Sequence, residues 1–178
     1  MNTSPTLLQD PPPKTERLDP PAAAAAKPRG LHLARILVPI DFSPHAKKAL
    51  EYAVDLATKF GAEITLLHVL EQLVYPGEWL VAMPTTSSFV PETRRALEEK
   101  LEGMMEDQSV KKKITVRMGR AWQEIVEFAK ERGSDLIVMG THGYTGVQHV
   151  LLGSVAEKVL RHAPCPVLSI RADAKDFA

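Results

Sequence analysis

Five short apolar runs, at 36–41, 64–69, 114–118, 136–139 and 167–170, recur along the chain, and each successive pair is separated by a stretch with a helical pattern. The run Leu136-Ile137-Val138-Met139 has no polar residue on either face, which predicts a strand buried on both sides. Strand and helix in strict succession predict an α/β fold, an open five-stranded parallel sheet with helices on both faces. In such sheets ligands sit beyond the carboxyl ends of the strands, where the winding direction reverses. Here that region is reached by Asp41, Val69 and Gly140.

The helical stretches carry their own punctuation. Ser43 is an expected N-cap and Pro44 a first helical residue, followed by an apolar face of Ala46, Ala49, Leu50, Ala53, Val54, Ala57 and Phe60, with Gly61 as the stop. A packing helix is expected over 93–107 through Leu97, Leu101, Met104 and Met105. Lysines 111 to 113 then precede the third strand at the end of the sheet away from the ligand, where solvation is expected. Trp122, Ile125, Val126 and Ala129 build another helix, ended by Gly133, and Ser154 opens the last.

Two segments break the rhythm. Residues 1–30 contain Pro11-Pro12-Pro13, Pro20-Pro21 and five alanines, too little apolar surface to offset the entropy of ordering, and are expected to be a disordered tail. The domain is expected over 31–173, with 174–178 as a C-terminal tail. Residues 73–91 read as a long loop bearing Tyr75, Trp79 and Phe89, which either covers a site or packs on the surface.

Charge and cysteine narrow the setting. Lysine plus arginine equal aspartate plus glutamate at 22 each, so no global field draws the chain to nucleic acid or a membrane, and an anion must be held locally. No run of membrane-spanning length or signal-peptide form is present. With Cys165 as the only cysteine, a reducing, cytoplasmic setting is expected, and the residue reads as a buried thiol.

The chemistry concentrates where the fourth strand meets the last helix. Gly140 and Gly143 are followed, after nine residues, by Gly153 and Ser154. Backbone amides of Gly140, Gly143, Gly153, Ser154 and Val155 are candidate donors to phosphate, the latter ones at a helix N-terminus whose dipole favours negative charge. Ser154 with Glu157 also matches a capping box. Asp41 is either an acceptor for ribose hydroxyls or base, or the start of an Asx turn ahead of Ser43. His142 and His149 lack partners for a metal site. There is no G-x-x-x-x-G-K-[ST] and no G-x-G-x-x-G after the first strand, so this is neither a P-loop ATPase nor a standard dinucleotide dehydrogenase. A nucleotidyl transferase motif is likewise missing from 39–44.

The spacing G-x2-G-x9-G-[ST] at Gly140, Gly143, Gly153 and Ser154 resembles the signature of ATP-binding universal stress proteins. So do Val138-Met139-Gly140-Thr141-His142-Gly143, Gly153-Ser154-Val155-Ala156-Glu157 and Val38-Pro39-Ile40-Asp41-Phe42-Ser43, within a similarity spanning 34–171. The resemblance implies a Rossmann-like sheet of order 3-2-1-4-5, homodimers formed through the last strand, and a role as a nucleotide-dependent stress-response switch with unknown protein partners. It also implies Pro39, Asp41 and Val69 at the adenosine, Met139 and Gly140 beside base and ribose, and Gly143, Gly153, Ser154 and Val155 at the phosphates of ATP. Magnesium or manganese would be carried by those phosphates and water. Hydrolysis is expected to be slow or absent, because no lysine or arginine clamp stands in the loop. The alternative is a dimeric signalling module that works without nucleotide.

Overall fold

The computed structural model describes residues 32–71, 89–105, 109–143 and 152–176. The expected tail at 1–30 and most of the expected loop, at 72–88, lie outside the described residues, as does 144–151 between the two halves of the glycine motif. Five strands, β1 (Arg35–Pro39), β2 (Glu63–Leu70), β3 (Lys112–Met118), β4 (Leu136–Gly140) and β5 (Val167–Ile170), form one parallel sheet of order β3-β2-β1-β4-β5. Their register sets Val38 beside Leu66, Leu37 beside Ile137 and Met139 beside Ser169. The chain moves outward from β1 to β3 and then crosses to β4, so the winding reverses between β1 and β4.

Strand side chains alternate between two cores. Ile36, Val38, Ile64, Leu66 and Val138 meet α1 (Pro44–Phe60) and α2 (Phe89–Glu102) on one face. Leu37, Leu67, Ile137 and Met139 meet α3 (Ala121–Arg132) and α4 (Ser154–His162) on the other. Central strands apolar on both sides are what helices on both faces require.

Helix α1 begins as its residues dictate. Ser43 is buried and its Oγ accepts the Ala46 amide at 3.1 Å, Pro44 follows, and Gly61 ends the helix at φ 68°. Ala46, Ala49, Ala53 and Ala57 are buried, small residues that let the helix lie close on the sheet. Phe60, expected on that face, is instead exposed at the last turn. After β5, Ala174 packs on this core, the Tyr52 hydroxyl donates to the Lys175 carbonyl, and Lys48 pairs with Asp176, so 171–176 lie along α1.

Two boundaries and the role of one lysine differ from the sequence reading. Helix α2 starts at Phe89, inside the expected loop, because proline at 91 falls in the first turn, where its missing N–H has no helical acceptor to lose. It stops at Glu102, ahead of Gly103, although Met105 still enters the core. Lys112 is not simply solvated: its Nζ donates to the carbonyls of Glu102 (3.3 Å) and Met105 (2.9 Å), satisfying groups at the end of α2. Lys113 pairs with Glu63 at 2.8 Å.

Cys165 packs against the α3–α4 core. Burial, and then the Asp135 carboxylate, push its thiol above the usual range. The neutral thiol is therefore favoured in the fold, a contribution to stability that is complete below the ordinary thiol range and lost as pH climbs through the raised value. At about pH 8.5, where an ordinary thiol is half ionised, iodoacetamide is expected to label the native chain more slowly than the urea-unfolded chain. Equal rates, followed by mass spectrometry, would contradict this.

Candidate functional site

The turn leaving β1 is held by its own side chains. The Asp41 Oδ1 accepts the Ser43 amide at 3.0 Å, closing an Asx turn across Phe42, which adopts φ 63°. A left-handed conformation costs a bulky residue about 1–2 kcal/mol, and strain of this kind collects at functional sites. The other oxygen, Oδ2, lies 2.9 Å from where a Cβ on Gly143 would stand, so the carboxylate reaches from β1 to the glycine loop after β4. Asp41 thus makes the Asx turn and also faces the loop, and the two sequence readings of it are compatible.

The loop after β4 is tied back in two places. The Thr141 amide donates to the Ile170 carbonyl at 2.9 Å, carrying the β4–β5 ladder one residue further. Its carbonyl accepts the Gly153 amide at 2.8 Å. Gly153, not Ser154, is the N-cap of α4, with φ −68° and ψ 152°, and among the described residues no side chain caps the helix. The expected capping box therefore does not form; Ser154 is the first helical residue and Glu157 pairs with Arg161 at 2.9 Å. The Gly153 amide, expected among the phosphate donors, is already used by Thr141.

What remains at this helix start is a set of donors. An α-helix leaves its first N–H groups without intrahelical partners. With Gly153 satisfied by Thr141, and the first helical bond running from the Glu157 amide to the Gly153 carbonyl (2.9 Å), the uncapped amides are those of Ser154, Val155 and Ala156. All three residues line a single cleft above the carboxyl ends of β1, β2 and β4. The absence of a side-chain acceptor at the cap keeps those amides available for an anion.

The cleft encloses about 170 Å³ and opens to solvent. The structure brings every sequence-predicted site residue to it: Pro39, Asp41 and Val69 from the β1 and β2 ends, Met139, Gly140 and Gly143 from β4 and its loop, and Gly153, Ser154 and Val155 at α4. Gly140 carries a second role that spacing did not reveal. A Cβ there would stand 2.7 Å from the His45 Cβ and 2.9 Å from the His45 carbonyl carbon, so this glycine lets α1 close onto β4.

Several lining residues escaped the sequence reading. Leu67 shares a strand face with Val69, a pairing the two-residue strand period would have supplied. Ala121 and Ile125 come from the first turns of α3, and helix starts in a parallel α/β sheet lie at the same end as the strand exits. The Glu71 carboxylate accepts the Ala121 amide at 2.9 Å and fixes that turn beside the end of β2. His142 also lines the cleft, with Nδ1 3.1 Å from the Thr141 Oγ1 and its ring centroid 5.3 Å from that of His45. Among the described residues, no three His, Cys, Asp or Glu side chains converge as a metal centre would require, and no helix is long and apolar enough to cross a membrane.

Comparison with known proteins bears on this geometry. The model of the universal stress protein family matches residues 32–171. The universal stress protein MJ0531 of Methanocaldococcus jannaschii is 35% identical over 147 residues, covering 80% of this chain and 84% of its own. The solved structure of MJ0577, from the same organism, superposes with a TM-score of 0.64 at 32% identity, over 83% of this chain and 100% of its own. A universal stress protein from Archaeoglobus fulgidus, solved in complex with dAMP, shares the fold at 22% identity and a TM-score of 0.53, over 79% of this chain and 99% of its own.

Proposed function

Because the chain belongs to the universal stress protein family, we propose that it binds ATP in the cleft above β1 and β4 and acts as a nucleotide-dependent switch in a stress response. The observation that carries this reading is the uncapped start of α4, whose Ser154, Val155 and Ala156 amides meet a cleft with an apolar far wall. Phosphate oxygens supply the acceptors that the missing cap leaves out, in the favourable field of the helix dipole. Pro39, Leu67, Val69, Ile125 and Met139 offer the wall for a purine, and an enclosed space near 150 Å³ is enough for an aromatic ring. Asp41 stands between the two ends, where ribose hydroxyls donate to its carboxylate. A protein of the same fold is solved in complex with dAMP, which is consistent with an adenine nucleotide as the ligand class.

Binding is assigned ahead of turnover. Fast phosphoryl transfer needs charge stabilisation and an anchored metal, and the described lining residues include no lysine or arginine. Magnesium or manganese would be carried by phosphates and water, so hydrolysis is slow or absent and the output is a change of state or partner. Among the described residues β5 is the last strand of the sheet, and a sheet edge of this kind is where a second copy would pair.

Titration calorimetry with ATP tests the assignment. Asp41→Ala is expected to weaken binding by about 1.5–3 kcal/mol, the range for a hydrogen bond to a charged group. Unchanged affinity would remove Asp41 from the site, and a wild-type chain that ignores ATP, carrying none in native mass spectra, would favour a signalling module that works without nucleotide.

A further inference from the structure

Phe42 is the one non-glycine residue with positive φ among the described residues, and its conformation is fastened from several sides. The turn that contains it is closed by the bond from the Ser43 amide to the Asp41 Oδ1, which spans Phe42, so the backbone angles at 42 set where the Asp41 carboxylate points. Just before the turn, His68 Nδ1 donates to the Ile40 carbonyl at 2.7 Å. The same imidazole lies 4.9 Å from the Phe42 ring, centroid to centroid, and the Lys100 Nζ stands 3.9 Å above that ring from α2. Just after the turn, the buried Ser43 caps α1.

Glycine would adopt this φ without a steric penalty, yet it would also sample other backbone regions. A phenylalanine accepts the penalty and in return anchors the turn through its ring, between a histidine on β2 and a lysine on α2. We propose that Phe42 is a positioning residue: its clamped ring holds the Asp41 carboxylate over the glycine loop and so sets how strongly the cleft distinguishes a ribose from a sugar without hydroxyls. This rests on the reading of Asp41 as the ribose acceptor. It also gives α2 a route to the site, since the Lys100 ammonium is the outer jaw of the clamp.

The test is the ratio of dissociation constants for 2′,3′-dideoxy-ATP and ATP, measured by calorimetry on the full chain. For wild type, ATP is expected to bind about tenfold to a hundredfold more tightly than the dideoxy compound, matching the loss for a charged hydrogen bond. In Phe42→Gly the ratio is expected to fall to within about twofold to threefold of unity, with the dideoxy-ATP constant near its wild-type value. That unchanged constant separates positioning from general damage to the fold, which would weaken both ligands together.

Lys100→Met, on the exposed side of the ring, keeps the stem and removes the charge, and is expected to lower the ratio by a smaller factor. A wild-type ratio retained in both variants overturns the positioning role of Phe42 and leaves the ATP reading standing. Should Phe42→Gly fail to fold, a ratio unchanged in Lys100→Met overturns the clamp by itself. A wild-type ratio of one, with ATP bound, instead overturns the assignment of Asp41 to the ribose and this proposal with it.

Discussion

A Gly153→Val variant is expected to lose ATP affinity by about a hundredfold or more while remaining folded. A Cβ at 153 would sit 3.2 Å from the Thr141 carbonyl oxygen and 3.5 Å from the His142 Cα, already tight, and the two γ-methyl groups of valine have to enter the same gap. The cost is paid at the seam between the β4 loop and α4, where the Gly153 amide donates to Thr141. Opening that seam turns the Ser154, Val155 and Ala156 amides away from their common focus, and each such donor to an ionised oxygen contributes about 1.5–3 kcal/mol. The backbone at 153 is extended, a conformation valine accepts, so the helix itself survives. Calorimetry with ATP alongside circular dichroism measures both halves of the expectation. Retained affinity in a folded variant would refute the phosphate cradle at α4.

That seam also marks the limit of what spacing conveys. The Ser154–Glu157 pair looks like a cap because a capping box is a pattern of residue types, and pattern alone does not say which residue the chain turns at. The Thr141 carbonyl decides it, by a contact between residues twelve apart that leaves little room for a side chain at 153. The helix consequently begins one residue earlier than the box requires, and the serine's amide, not its hydroxyl, becomes the structural feature of interest. Phe42 is similar: nothing in Asp41-Phe42-Ser43 announces a left-handed residue, since the compensation comes from His68 and Lys100 on other elements. By contrast the strands, the ends of α1 and α3, and the gathering of Asp41, Val69 and Gly140 above the sheet are legible in the sequence. They depend on periodicity and on the rule that parallel strands bring their carboxyl ends to one side.

The largest effect on stability is expected at Gly140, where even alanine is too big. Its Cβ would fall 2.7 Å from the His45 Cβ, 2.9 Å from the His45 carbonyl carbon and 3.2 Å from the Ala46 amide nitrogen. These are atoms of the first turn of α1, fixed by the Ser43 cap and the buried Ala46, so no flexible side chain can swing aside. Either α1 lifts from β4 or the end of β4 shifts, and overpacking of this kind costs about 1–3 kcal/mol. A loss of about 2 kcal/mol lowers the Tm by roughly 4–8 °C in a domain of this size. Gly103→Ala is the matched control: its nearest contacts would be carbonyl oxygens at 3.7 Å, ordinary van der Waals distance, so no fall in Tm is expected. Scanning calorimetry on the two variants separates the effects. Equal transitions would mean that the approach of α1 to β4 does not depend on glycine at 140. A fall confined to Gly140→Ala ties the motif's first glycine to the packing that sets the Asp41 turn, at the start of α1, against the β4 loop, so that ligand contact and helix packing constrain the same residue for separate physical reasons.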